Sequence, residues 1–153
     1  MITLPNWLQP QVAQLDALIE KQQFPNALLI HGPEGTGRRL LALWLVGRLL
    51  NSPEMDPGAA ILAANYLDPE TMPQHPDFQL VQPEPDKQSI SIKRLRELIA
   101  FLSLTSHQSG MKTALINPAQ AMTTAAVVVE PTRGLLHCVL GHPCCNQSCT
   151  YRL

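Results

Sequence analysis

Residues 31–40 read HGPEGTGRRL, and this stretch decides the predicted fold. Gly32 and Gly37 stand at the two glycine positions of a phosphate-binding loop, whose pattern is Gly-x-x-x-x-Gly-Lys-Ser/Thr. In such a loop the backbone N–H groups surround the phosphates, the lysine reaches the outer phosphates and the hydroxyl binds Mg²⁺. Here the last two positions are Arg38 and Arg39. The spacing predicts the shape of a phosphate-binding loop without two of its functional side chains.

The segments on either side of the loop have the patterns that this motif requires. Residues 27–30 form a short apolar run bounded by turn residues, which is typical of a strand buried on both faces. Arg38–Leu50 is apolar at helical spacing and predicts a well-buried helix. Strand, glycine loop and helix in this order make a P-loop interpretation credible.

The rest of the chain alternates between predicted helices and strands. In chain order these are a helix over 10–22, a short helix over 59–66, a strand at Phe78–Val81, a helix that begins after Ser91, a strand at Lys112–Ile116 and a helix that begins at Pro118. We expect the helix from Pro118 to run toward Ala126, and the helix after Ser91 to carry one apolar face formed by Leu95, Leu98, Ile99 and Leu102. The alternation predicts an α/β fold, a P-loop parallel sheet with flanking helices on both faces.

Both halves of an ATP-hydrolysing site lack their usual side chains. Arg38 keeps a positive charge at the lysine position, but its guanidinium is bulkier and planar, and Arg39 has no acceptor atom to bind magnesium. The neighbouring strand that would supply an acid ends in Asn117 and Pro118 instead. We therefore predict no catalytic residue, no cofactor and no ATP hydrolysis. The degenerate nucleotide-binding site would consist of Gly32, Gly35, Thr36, Gly37, Arg38 and Arg39.

Three alternatives stay open for this loop. The glycines can serve only to make a tight turn between strand and helix. The helix N-terminus can bind an anion weakly. A competent P-loop NTPase that uses Arg38 in place of lysine is the main alternative function.

The composition excludes several functional classes. A formal net charge of -1 over 153 residues is unlike that of a protein that grips nucleic acid by its backbone, so any contact with DNA is expected to be indirect. No apolar run approaches the roughly 20 residues of a membrane span, and residues 1–10 lack the pattern of a signal peptide. We expect a cytoplasmic protein that does not bind membranes.

Four segments of the sequence, taken in order, carry a resemblance to a known family. They are residues 24–37 (FPNALLIHGPEGTG), 75–77 (HPD), 90–98 (ISIKRLREL) and 110–126 (GMKTALINPAQAMTTAA). Together they resemble the N-terminal part of the delta-prime subunits of the bacterial DNA polymerase III clamp loader, which belong to the AAA+ clamp-loader group. The resemblance covers residues 1–126.

This resemblance implies a stator subunit in DNA replication that helps to load the sliding clamp by protein–protein contacts. The implied partners are the ATP-binding AAA+ subunits and the delta subunit, and DNA polymerase activity would arise only through the holoenzyme. A degenerate P-loop is common in the family. The family's Ser-Arg-Cys segment is absent from this sequence, and residues 51–74 lack the cysteines with which many members bind zinc.

The sequence changes character after Ala126, and all four cysteines of the chain lie beyond it. We interpret residues 1–126 as a partial AAA+-like P-loop domain with a proline-rich insert at 51–76, and residues 127–153 as a frameshift product. On this interpretation the chain is truncated before the rest of the sheet, the lid and the collar, and is not functional as truncated. We also expect poor solubility and little assembly with other subunits.

A metal site in the tail is a third functional hypothesis. Cys145 and Cys149 have a zinc-type spacing, whereas the adjacent pair Cys144–Cys145 and the five-residue gap after Cys138 fit poorly. The possible ligands are His137, Cys138, His142, Cys144, Cys145 and Cys149.

Several other side chains have structural interpretations. We expect His75 to shape a turn, and Trp7 and Trp44 to pack in the core, although Trp7 could instead contact a partner subunit. A solvated helix face is predicted for Lys93, Arg94 and Arg96.

Overall fold

Five parallel strands form one sheet. The computed structural model describes residues 4–25, 27–33, 35–51, 74–107, 111–122, 135–140 and 150–152. The strands are β1 (Ala27–His31), β2 (Phe78–Val81), β3 (Lys112–Ile116), β4 (Leu135–Leu140) and β5 (Thr150–Arg152). Their order across the sheet is β2-β3-β4-β1-β5. The three strands expected from the sequence are therefore confirmed, and two more are present.

Three α-helices flank this sheet in the described part of the chain. They are α1 (Gln9–Glu20), α2 (Arg38–Leu50) and α3 (Ile92–Ser103), and short 3₁₀ helices lie at Asn6–Leu8 and Ala119–Ala121. The bounds of α2 agree with the prediction, whereas α1 begins and ends slightly earlier than the predicted helix over 10–22. The short helix expected over 59–66 lies outside the described residues.

Strand β3 shows how the sheet separates two apolar layers. Successive strand residues face opposite sides of a sheet. Leu115 packs into one cluster together with α1 and α2, while Ala114 and Ile116 pack into a second cluster with α3. All five residues of β3 are buried, so both faces of this strand are covered, and its last three residues, Ala114–Ile116, are apolar without alternation. The predicted α/β architecture with helices on both faces is confirmed.

The cluster beneath α1 and α2 extends to the N-terminal part of the chain. Leu8 and Leu15 are fully buried within it, and Trp44 is half-buried against it, as expected. Asp16 of α1 and Arg48 of α2 also form an ion pair at 2.8 Å, Oδ1 to Nε. Residues 4–20 are thus fixed onto α2 by apolar burial, with one surface ion pair across the helices.

Helix α3 begins where the sequence predicts, with one difference on its apolar face. The Ser91 hydroxyl accepts a hydrogen bond from the Arg94 backbone N–H at 3.4 Å, which caps the helix. Leu95, Leu98 and Leu102 are buried. Ile99 is not buried with them and is 36% exposed, because it lies at the edge of the stripe that the three leucines define.

The basic residues of α3 are only partly a solvated face. Lys93 and Arg96 are exposed, as expected. Arg94 is half-buried, and its guanidinium donates to the Gln82 carbonyl at 3.2 Å. The prediction is therefore wrong for Arg94, whose side chain folds back over the connection that leads out of β2.

The helix expected from Pro118 is not present as a continuous helix. A single 3₁₀ turn, Ala119–Ala121, is followed by Met122 in an extended conformation. Met122 bridges in parallel to Ile90, and the Ile90 N–H donates to the Ala121 carbonyl at 2.8 Å. Pairing with the buried Ile90 therefore ends the turn before a helix can propagate, and residues 123–126 lie outside the described part of the chain.

The tail contributes to the sheet, which corrects the expectation that the rest of the sheet is missing. Strand β4 lies between β3 and β1, and β5 lies at the edge next to β1. In register, Cys138 pairs with Leu115 on one side and Leu28 on the other. An apolar run of six residues, LLHCVL, has a suitable composition for a strand between two parallel neighbours.

The region around residues 75–77 makes the turn that the sequence predicts and joins several elements. The His75 ring Nδ1 accepts the Asp77 N–H at 3.1 Å, and the His75 carbonyl accepts the Phe78 N–H at 3.0 Å.

None of the helices within the described ranges is long and apolar enough to cross a membrane.

A buried ion pair lies at the beginning of β2 and β3, and sequence analysis missed it. Asp77 is 0% exposed, and its Oδ1 lies 3.3 Å from Nζ of Lys112, which is 4% exposed. The same carboxylate oxygen accepts the His107 N–H at 2.7 Å. The Lys112 ammonium also lies 4.1 Å from the ring centroid of Phe101. These contacts connect the sheet to the end of α3.

We predict that Lys112→Met lowers the free energy of unfolding by about 3–5 kcal/mol, because it leaves the Asp77 carboxylate buried without its countercharge. Arg48→Met, which breaks the exposed pair with Asp16, is the matched control and is expected to lower it by at most about 1 kcal/mol. Urea unfolding followed by circular dichroism measures both. Equal losses in the two variants would contradict the assignment of a stability role to the buried pair.

The reading frame of the tail gives a second prediction. Because the family resemblance stops at Ala126, we expect the nucleotide sequence downstream of that codon to continue the family pattern in a shifted frame. Sequencing the gene across codons 120–153 tests this. If no shifted frame continues the pattern, the tail belongs to the chain's own frame and the frameshift interpretation is wrong.

Candidate functional site

The glycine loop lies where the sequence places it, between the carboxyl end of β1 and the N-terminus of α2. Gly37 is the N-cap residue of α2 and has a φ of 88°, and Gly35 has a φ of 80°. Both values fall in the left-handed region that glycine adopts readily and other residues rarely adopt. The loop therefore requires glycine at these two positions for backbone geometry, whatever ligand it does or does not bind.

Gly37 is constrained a second time by a close neighbour. A Cβ atom at this position would lie 3.0 Å from Cδ1 of Leu8, which is 1% exposed. At Gly35, in contrast, a Cβ atom would meet nothing within 4 Å among the described residues. The beginning of α2 thus lies directly under the 3₁₀ helix Asn6–Leu8, and a side chain at residue 37 would require Leu8 to shift by a few tenths of an ångström.

Polar contacts hold the middle of the loop. The Thr36 hydroxyl donates to the Pro33 carbonyl at 2.8 Å, so it closes the loop on itself. The Trp7 indole N–H donates to the Thr36 carbonyl at 3.1 Å. Trp7 is 64% exposed, so the expectation that it packs in the core is wrong: its ring lies on the surface with its N–H turned to the loop.

The two arginines at the end of the motif are in different surroundings. Arg38 is half-buried, whereas Arg39 is exposed. Within the part of the chain that the structure describes, neither guanidinium lies within ion-pair distance of a carboxylate. The site therefore presents positive charge beside a helix N-terminus, but no oxygen atom at residue 39 that could bind Mg²⁺.

The strand expected to supply an acid is not next to β1. Strand β4 separates β3 from β1, so the sequence-based assumption of direct adjacency is wrong. The carboxyl ends of the three strands still lie at one edge, since Ile30 pairs with Leu140 and Val139 with Ile116. At that edge Asn117 is buried and its backbone N–H donates to the Val81 carbonyl at 3.0 Å.

The described residues bring together the loop but not a catalytic group. The first turn of an α-helix has backbone N–H groups without intrahelical acceptors, so α2 can attract an anion weakly. Asn117 supplies no carboxylate at the strand edge where an ATPase would place its acid. The described residues thus have the backbone shape of a phosphate-binding loop, with an arginine at residue 39 and an asparagine at residue 117.

The alternative metal site of the tail lies mostly outside the described residues. His137 and Cys138 lie in β4, between β1 and β3. The other four possible ligands, His142, Cys144, Cys145 and Cys149, fall outside the described ranges. Across those ranges no three His, Cys, Asp or Glu side chains are grouped as metal ligands would be.

Sequence reasoning missed the contacts of Trp7 and Leu8 with the loop. Trp7 and Thr36 are 29 positions apart, and neither belongs to a motif that links the two segments. An apolar Trp-Leu pair before a helix is equally compatible with ordinary core packing. No local signal therefore distinguished a loop contact from a core contact.

Comparison with known proteins places these features in a family. A family described as "DNA polymerase III, delta subunit" matches residues 7–128. The DNA polymerase III subunit delta' of Pseudomonas aeruginosa PAO1 is 32% identical over 122 residues, which are 78% of this chain and 35% of that protein. The chain thus spans about a third of the length of this curated relative.

A solved structure supports the fold. The DNA polymerase III gamma subunit-related protein of Thermotoga maritima matches 84% of this chain and 38% of its own chain, with a TM-score of 0.53 and 19% identity. At that identity the match speaks for the α/β fold alone. The family match covers the glycine loop, β2, α3 and β3, and the chain belongs to the DNA polymerase III delta subunit family.

Proposed function

We propose that this chain corresponds to the loop-bearing domain of a delta-prime-type clamp-loader subunit, and that the intact subunit acts in DNA replication through protein contacts rather than through ATP hydrolysis. The observation that carries the proposal is the family match over residues 7–128 on a chain whose loop has kept its glycines and lost its magnesium-binding hydroxyl. A stator needs the shape of the domain and not its chemistry.

Two positions of the chain, residues 39 and 117, disfavour ATP hydrolysis. Magnesium bridges the phosphates in P-loop enzymes and neutralises the charge that develops during transfer. Arg39 offers only N–H donors at the position of the Mg²⁺-binding hydroxyl, and the buried Asn117 gives no carboxylate at the end of β3. An enzyme that used Arg38 in place of lysine would still lack the hydroxyl at residue 39 and the carboxylate at the end of β3, so the NTPase alternative is not favoured.

The implied partners are other clamp-loader subunits, namely ATP-binding AAA+ subunits and delta. DNA would be reached indirectly, through the assembly. A subunit with this role is expected to be cytoplasmic. The domain boundary at Ala126 and the separate origin of residues 127–153 remain part of this proposal.

We predict that the chain neither hydrolyses ATP nor binds it with magnesium-dependent micromolar affinity. Isothermal titration calorimetry with ATP, in the presence and absence of Mg²⁺, measures binding, and phosphate release measures turnover. Arg38→Ala is expected to change neither result. Arg48→Ala, at the other end of α2, is the matched control for a lost arginine. Tight magnesium-dependent binding that Arg38→Ala alone abolishes would favour the NTPase.

The partner-binding half of the proposal needs a separate experiment. In a chimera, residues 7–128 would replace the matched segment of the Pseudomonas aeruginosa delta' subunit, and the product would be mixed with that organism's other clamp-loader subunits. We expect a stoichiometric complex that loads a sliding clamp. The same chimera with Arg38→Ala and Arg39→Ala should assemble and load equally well. Failure of the first chimera to assemble would contradict the proposal, and selective failure of the second would show that the loop arginines take part.

A further inference from the structure

The 3₁₀ helix Asn6–Leu8, called here the N-terminal strap, touches the glycine loop at two successive residues. The Trp7 indole N–H donates to the Thr36 carbonyl at 3.1 Å. A Cβ atom added to Gly37 would lie 3.0 Å from Cδ1 of Leu8. One contact is polar and exposed, and the other is apolar and buried.

The polar contact fixes a peptide plane that matters for phosphate binding. The Thr36 carbonyl and the Gly37 N–H belong to one planar peptide unit and point in opposite directions across it. By binding the carbonyl, the Trp7 indole also fixes the direction of the Gly37 N–H. In a nucleotide-bound P-loop, a phosphate holds the loop amides from the other side. Here a side chain of the same protein orients the peptide from outside the loop.

The strap is itself firmly anchored, so that it can hold the loop. Leu8 is 1% exposed and belongs to the cluster formed with α1 and α2. The Leu8 N–H donates to the Pro5 carbonyl at 2.9 Å, and the Gln9 side chain donates to the Leu4 carbonyl at 3.2 Å. The strap is therefore a rigid part of the core on one side and a contact of the loop on the other.

We propose that the N-terminal strap holds the glycine loop in its folded conformation without a phosphate ligand, with Trp7 and Leu8 as positioning residues. The loop keeps its left-handed turns at Gly35 and Gly37 because Trp7 and Leu8 fix the Thr36–Gly37 peptide from outside. The strap is thus a built-in conformational lock on the glycine loop. This inference concerns the ligand-free chain and does not depend on the clamp-loader role.

Limited proteolysis of the full chain with trypsin tests the lock, because Arg38 and Arg39 directly follow the loop and are cleaved when it opens. Cleavage after Lys93 and Arg96, two exposed residues of α3, is the internal reference in the same sample. Trp7→Phe removes the indole N–H and keeps an aromatic ring. We expect it to raise the loop cleavage rate about five-fold relative to the α3 sites, as the loss of one hydrogen bond predicts. Trp44→Phe, in α2 and away from the loop, should leave the ratio unchanged.

A second pair of variants tests the lock from the side of the loop. Gly35→Ala and Gly37→Ala impose the same kind of strain, since their φ values are 80° and 88°. Only Gly37→Ala also pushes against Leu8. We expect Gly37→Ala to raise the loop cleavage rate several-fold more than Gly35→Ala does.

Two outcomes would overturn the proposal. In the first, Trp7→Phe leaves the loop cleavage rate as it is in the wild type, or raises the loop and α3 rates together, as general destabilisation would. In the second, Gly35→Ala and Gly37→Ala accelerate loop cleavage equally. The glycine pair decides the matter even if Trp7→Phe fails to fold, because it leaves the strap sequence intact.

Discussion

The close approach of Gly37 to Leu8 is the constraint on which this end of the domain depends. The chain must turn from β1 into α2 with a left-handed residue at the helix N-cap, and it must do so beneath a buried leucine side chain. Glycine satisfies both conditions best, because it has no Cβ atom to strain the backbone or to crowd Leu8. The direction of α2, and with it the packing of α1 and the N-terminal residues, follows from that turn.

This constraint explains how the shape of a nucleotide site persists when its chemistry does not. The glycines are required by the backbone and by neighbouring packing, so a change at them disturbs the fold. The lysine and hydroxyl positions of the motif carry no such structural requirement. Arg39 is exposed, and Arg38 begins α2 with a residue of high helix propensity. Geometry and catalysis therefore depend on different atoms of one short motif.

What the sequence predicted correctly came from local patterns. The apolar runs of β1 and β3, the period of α2 and the Ser91 cap are determined by residues close together in the chain, and those elements were confirmed. The errors share a different cause. The helix from Pro118 ends because Met122 pairs with Ile90, Trp7 leaves the core because Thr36 offers an acceptor, and Lys112 is buried because Asp77 neutralises it. Each depends on a contact between segments that are distant in sequence.

The centre of the sheet shows how little sequence information a buried parallel strand needs. A gap between β1 and β3 would leave two rows of backbone N–H and carbonyl groups unpaired inside the protein, which is costly. An apolar segment of about six residues can pair with both rows, since the hydrogen bonds come from the backbone and composition alone decides whether burial is favourable. Residues 135–140 meet this condition although they lie beyond the matched residues 7–128. Occupancy of that position is therefore compatible with a tail in either reading frame, and the strand itself says nothing about its origin.

The features that separate this domain from an NTPase, Arg39 at the hydroxyl position and Asn117 at the end of β3, lie wholly within the matched segment. The proposed lack of ATP hydrolysis therefore rests on residues 7–128, whatever the origin of the tail.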